Sequence, residues 1–200
     1  MSWSKTHALA LNAAFTALDV AGIDWIVLRN YQGLPDENRS RDVDIGLEKA
    51  NFLRAEKAIS NAVKSIGFDR VSIDYFQYAC CLTFYNTGES IPKSIKLDLV
   101  DGVPFRGAKV FDFRELYQNA QQYGCFYIPS NVDDAVMLCC KSLIMGSNIK
   151  AKYITEIKYA AQEEPVKFQA VLQRILTPFW ADWSWSKIVS DDIENMIDMK

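Results

Sequence analysis

The chain has 200 residues, half of them apolar, and a formal net charge of -3. That is enough apolar side chain for one ordinary core, alone or with a helical appendage. The slight acidic excess argues against a bulk nucleic-acid binder, which carries a basic surplus, but leaves room for a small anionic ligand held by local cations.

Residues 4–21 place Ala8, Leu11, Phe15, Leu18 and Val20 at helical spacing, with Gly22 as the stop. His7, the only histidine, falls in this helix and reads as a surface residue, so a histidine-based triad or multi-histidine metal site is ruled out. Residues 23–28 form a short apolar run and read as a strand. Residues 32–40 are loop, and residues 43–47 form a second strand. Asn51 is placed to cap a helix reaching Ile66, with Phe52, Leu53, Ala55, Ala58, Ile59, Ala62, Val63 and Ile66 as its inner face.

Residues 68–76 and 78–85 are rich in β-branched and aromatic residues and read as an antiparallel pair. Residues 95–100, IKLDLV, alternate: Leu97 and Leu99 face one way, Lys96 and Asp98 the other. Asp101 reads as a turn residue. Pro104 and Gly107 interrupt residues 103–111, which read as irregular or an edge strand. A short helix over 112–122 and a short strand over 125–128 follow.

The rest is helical. A helix through Met145 buries Ala135, Val136, Leu138, Cys139, Leu143 and Ile144, and further helices cover 150–161, 165–176 and 191–199. Phe179, Trp180, Trp183 and Trp185 are expected to pack these helices together. Lys141, Lys150, Lys152, Tyr153 and Lys158 form a basic segment that reads first as a solvated helix face. The expected organisation is an α+β domain over residues 1–128 and a helical part over 129–200. Cys80, Cys81, Cys125, Cys139 and Cys140 show neither a disulfide framework nor a C-x-x-C spacing, and read as buried apolar residues of a reduced cytoplasmic protein. The N-terminal stretch lacks the features of a signal peptide, and no run approaches about 18 apolar residues, so no membrane span is expected.

The chemistry concentrates in WIVLRNYQGLPDENRSRDVDIGL, residues 25–47. Asp42 and Asp44, two apart on a strand, stand on one face while Val43 and Ile45 point to the core. Adjacent carboxylates repel unless something positive lies between them, and the simplest such group is a divalent cation. Asp98 on a second strand makes a third carboxylate. Hard oxygen donors suit magnesium or manganese, which also bind substrate phosphates. Two such ions can serve an in-line displacement at phosphorus.

This order of elements resembles the nucleotidyltransferase superfamily that includes DNA polymerase beta. More narrowly, LRNYQGLP followed by RDVDIGL looks like a bacterial nucleotidyltransferase-like branch that accompanies surface-polysaccharide biosynthesis. The resemblance covers about residues 5–110. It implies a small mixed sheet with helices packed on one side and a helical C-terminal part. It also implies Asp42 and Asp44 as metal ligands and Asp98 as the third catalytic carboxylate. The expected activity is transfer of a nucleoside monophosphate from a nucleoside triphosphate to a small acceptor. The superfamily places Gly-Ser just after the first strand; here that position reads Arg29-Asn30-Tyr31. Arg29, whose guanidinium matches phosphate geometry, is the expected replacement, with Asn30, Arg41 and Lys96 as further nucleotide-binding candidates. Two other readings stand beside this one: a catalytically inactive fold relative that binds without turnover, and a D-x-D glycosyltransferase. The short approach to Asp42, one helix and one strand, argues against the glycosyltransferase. A homo-oligomer stays open.

Overall fold

The structure is a computed structural model. It describes residues 3–38, 40, 42–88, 93–105, 108–145, 149 and 151–193. The chain forms two compact units, Met1–Ile128 and Pro129–Lys200.

The first unit is built on a mixed five-stranded sheet with helices on one side. Its elements begin with helix α1 (Lys5–Val20), strand β1 (Ile26–Val27) and strand β2 (Val43–Gly46). After a 3-10 turn at Lys49–Asn51 come α2 (Phe52–Ser65), β3 (Arg70–Tyr75), β4 (Ala79–Asn86) and β5 (Lys93–Val100). The sheet order is β1-β2-β5-β4-β3. β2 and β5 run parallel and every other neighbouring pair is antiparallel.

Alternation explains the layering. Val43, Ile45, Leu97, Leu99, Cys80, Leu82 and Phe84 point from β2, β5 and β4 into one core with Leu11, Phe15 and Leu18 of α1 and Ala55, Ile59 and Val63 of α2. Each large apolar side chain buried there contributes about 1.5–3 kcal/mol by leaving water. Trp25 fixes the turn into β1: its ring stacks on Phe15 at 4.5 Å and its Nε1 donates to Asp19 Oδ1 at 2.8 Å.

Several local expectations change. The strand expected over 23–28 is regular only at Ile26–Val27. Val20 and Leu53, expected inward, are exposed because they sit at the margins of their helical stripes. Asn51 holds the N-cap position of α2 without a side-chain cap bond. His7 is buried rather than superficial. Its Nδ1 accepts from the Ser4 N–H at 3.2 Å, its Nε2 lies 3.1 Å from the Ser94 carbonyl, and its ring stacks on Trp3 at 5.0 Å.

Beyond β5, the stretch around Pro104 is a hairpin of β6 (Val103–Phe105) and β7 (Ala108–Phe111), separate from the main sheet. Helix α3 (Phe113–Gln118) is shorter than expected, because Gln121 and Gln122 belong to β8 (Gln121–Tyr123), paired with β9 (Phe126–Ile128). Asp101 is buried, and Lys109 bridges it to Asp112 at 2.9 and 3.2 Å.

The second unit is a cluster of helices: α4 (Asn131–Met145), α5 (Ala151–Glu163), α6 (Pro165–Ile175) and α7 (Pro178–Val189). Val132, Met137 and Cys140 are buried on α4 with Ala135, Val136 and Cys139, whereas Leu138 and Leu143 are only half-buried. The aromatic run is itself helix α7. Its Trp185 packs on Phe168 at 6.0 Å, while Phe179 and Trp180 are exposed. Lys158 pairs with Asp191. Most of the helix expected over 191–199, with Lys150 and the Lys152 side chain, lies outside the described residues. Among those described, no helix is long and apolar enough to cross a membrane. All five cysteines are free; Cys80, Cys139 and Cys140 are buried, but Cys125 is exposed.

Candidate metal and phosphate site

The parallel pairing of β2 with β5 sets Asp44 directly beside Asp98. Both side chains project from the face of the sheet opposite the helices, because their neighbours Val43, Ile45, Leu97 and Leu99 fill the core. Asp42, just before β2, stands on the same side. One carboxylate oxygen from each of Asp42, Asp44 and Asp98 lies within 4.8 Å of the other two.

Asp44 is buried, and Asp98 Oδ1 is buried without a hydrogen-bond partner. An unsatisfied buried carboxylate oxygen costs free energy unless a proton or cation reaches it. Three hard oxygens that close together, with an unmet carboxylate oxygen on one of the three residues, fit a divalent ion such as magnesium or manganese.

Among the described residues, two cations attend the cluster. Arg29, just beyond β1, grips Asp44 through Nε on Oδ2 and through Nη2 on Oδ1 at 3.1 Å. The antiparallel pairing of β1 with β2 brings it there, with the Leu28 N–H donating to the Asp44 carbonyl at 3.0 Å. Lys96, two residues before Asp98 on β5, lies 2.7 Å from Asp98 Oδ2 and 3.8 Å from Asp42 Oδ2. Burial pulls the Lys96 ammonium down, but the Asp98 hydrogen bond and the charges of Asp98 and Asp42 outweigh it, so its pKa is raised. Among the described residues, two cations against three carboxylates leave the cluster formally net negative.

Asn30 adopts a left-handed backbone, φ 53°, which turns the chain out of β1. Tyr31 packs edge-on against Tyr123 at 5.1 Å, so its ring is committed to packing. Arg39 and Arg41 lie outside the described residues. Three residues that sequence reasoning passed over as neighbours of the site, Ser40, Asn38 and Cys81, complete the surroundings. The Ser40 hydroxyl donates to Asp42 Oδ1 at 2.9 Å, and Asn38 Nδ2 donates to the Asp42 carbonyl at 3.3 Å. Cys81, opposite Asp98 across the β4–β5 pair, has its thiol pushed up to about 12 by burial and then by the Asp98 carboxylate. The signal for Ser40 was the polar loop leading into Asp42; for Cys81 it was the register of β4 against β5.

No family model matches the chain, and no curated protein matches it. Two crystal structures share its fold. One is the Helicobacter pylori protein JHP933, with a TM-score of 0.52 and 16% identity, covering 100% of this chain and 82% of that one. The other is a candidate nucleotidyltransferase from H. pylori, with a TM-score of 0.51 and 16% identity, covering 94% of this chain and 82% of that one. At that identity the likeness is one of fold.

Proposed function

We propose that the protein is a metal-dependent nucleotidyltransferase that moves a nucleoside monophosphate from a nucleoside triphosphate to a small acceptor. The observation that carries this reading is the convergence of carboxylate oxygens from Asp42, Asp44 and Asp98 within 4.8 Å of one another. The fold shared with a candidate nucleotidyltransferase supports it.

In this reading Asp42, Asp44 and Asp98 hold magnesium or manganese. The bound ion would neutralise phosphate charge and align the attacking and leaving oxygens. Asp44 approaches from β2, Asp42 from the residue just before it, and Asp98 from β5, so two paired strands position the ligands. Ser40 orients Asp42 through its hydroxyl. Arg29, half-exposed at the rim, is the group that takes the phosphates in place of small residues, its fork matching two phosphate oxygens. Lys96 offers a second positive charge on the same face. A surface-polysaccharide precursor as acceptor rests on the sequence resemblance alone.

The test is pyrophosphate release from each of the four nucleoside triphosphates with magnesium or manganese and a panel of hydroxyl and phosphate acceptors. Wild type is expected to turn over at least one triphosphate, and Asp44→Ala to lose that activity by at least about a hundredfold, the scale of removing a transition-state charge contact. Equal rates in both would sink the assignment.

One observation favours a second reading. Arg29 and Lys96 already pair with the carboxylates, which favours a protein that binds nucleotide without turnover. Calorimetry separates the two: tight binding of nucleotide and metal with no product supports the non-enzymatic reading.

A further inference from the structure

The free edge of β3 carries an inference independent of that chemistry. Among the described residues β3 pairs with β4 on one side only, and its six residues are nearly all exposed. The Phe76 N–H just beyond it donates to the Ala79 carbonyl across the hairpin at 2.8 Å. Backbone groups of alternate residues point to alternate sides of a strand. The even-numbered residues of β3 therefore spend their N–H and C=O on β4, and Val71 and Ile73 direct theirs to the open edge. Such an edge is a template for another strand unless charge or a bulge blocks it.

Its side chains are self-complementary under two-fold symmetry. In an antiparallel pairing with itself centred on Ser72, Arg70 lies opposite Asp74 of the second copy and Val71 lies opposite its Ile73. The same register makes Val71 and Ile73 the hydrogen-bonded pair, the one whose backbone groups point outward. The faces agree as well. Arg70 and Asp74 are in register with Tyr85 and Cys81 on the side of the sheet that bears Asp98. Val71 and Ile73 are in register with the buried Phe84 and Leu82 on the helix side. The charged pairs would thus meet on the polar face, and the apolar pairs would extend the core. A register shifted by two residues in either direction loses the opposition of Arg70 and Asp74.

We infer that β3 is the dimerisation edge of this protein, joining a second copy through an antiparallel β3–β3 pair centred on Ser72. One six-residue edge buries a small area, so the association is weak and concentration-dependent. Opposite charges directly across a strand pair favour it, and like charges oppose it.

Sedimentation velocity over a rising concentration series tests this. Wild type is expected to pass from monomer to dimer. Arg70→Asp alone sets Asp against Asp, and Asp74→Arg alone sets Arg against Arg, so each is expected to weaken dimerisation by about tenfold or more. An equimolar mixture of the two single variants restores both ion pairs and is expected to form the heterodimer at wild-type strength. Circular dichroism checks that each exposed substitution leaves the fold intact. Three results would overturn the inference: wild type monomeric throughout, dimerisation unchanged in both single variants, or a mixture that associates no better than its components.

Discussion

The Arg29 guanidinium forks onto the Asp44 carboxylate, Nη2 donating to Oδ1 at 3.1 Å and Nε to Oδ2, so a phosphate-binding candidate is held by a metal-ligand candidate. Lys96 does the same to Asp98 at 2.7 Å. If the carboxylates hold a divalent ion, these two side chains are its rivals. Arg29→Gln and Lys96→Gln are therefore each expected to tighten manganese binding by about tenfold, a gain of about 1.4 kcal/mol. Titration of free manganese by electron paramagnetic resonance measures this without any substrate. Unchanged or weaker binding in both variants would contradict the competition.

His7 ties the start of α1 to β5 through Ser4 and the Ser94 carbonyl. His7→Ala removes a buried ring and leaves that polar contact unmade. The expected loss is about 2–4 kcal/mol, read as a lower urea midpoint at constant slope. Manganese affinity should not move, because His7 belongs to the structure and not to the site.

Gly102 turns the chain from β5 into β6 with φ +69°, and a Cβ there would come within 2.0 Å of the Phe111 carbonyl oxygen. Backbone cannot yield as a side-chain tip can. Gly102→Ala is expected to cost roughly 3 kcal/mol or more, visible as reduced soluble yield and a lowered Tm. Gly22, whose Cβ would meet nothing within 4 Å, is the control and is expected to lose only about 1 kcal/mol from its positive φ.

Asp112 caps α3, its carboxylate accepting from the Arg114 N–H at 2.9 Å. That backbone bond lowers its pKa, burial opposes the shift, and Lys109 adds to the lowering. A carboxyl depressed on folding contributes stability that is present above its unfolded value, near 3.8, and lost as pH falls through the folded value. Asp112→Ala is expected to cost about 1 kcal/mol at neutral pH and to flatten the loss of stability on the acid side. Denaturant midpoints at a series of pH values down to about pH 2 check both the size and the slope. A steeper acid limb in the variant would contradict the sign.

The alternation of apolar and polar residues made the sheet and its polar face legible in the sequence. Asp42 and Asp44 could be paired from spacing because strand period fixes faces, whereas Asp98 joined them through the family resemblance, since the pairing of β5 with β2 is not a local pattern. What joins them to Arg29 and Lys96 was less visible. Lys96 shares a strand face with Asp98, so their pairing followed from local geometry. The grip of Arg29 on Asp44 depends on β1 folding back beside β2 across a loop, which no local pattern encodes. His7 was misplaced for a similar reason: its burial comes from Ser94, 87 residues away. Leu53 and Val20 were misplaced because helical spacing tolerates an apolar residue at the margin of a stripe. The β6–β7 hairpin was obscured by Pro104, which an isolated two-stranded sheet accommodates and a central strand would not.

The most direct measurement is a crystal structure with manganese and a nonhydrolysable nucleoside triphosphate, using anomalous scattering to place the metal. The expected result is a manganese peak about 2.0–2.3 Å from oxygens of Asp42, Asp44 and Asp98, with Arg29 released from Asp44 and turned to phosphate. Bound nucleotide with no metal among the three carboxylates, and Arg29 still on Asp44, would contradict the proposed site.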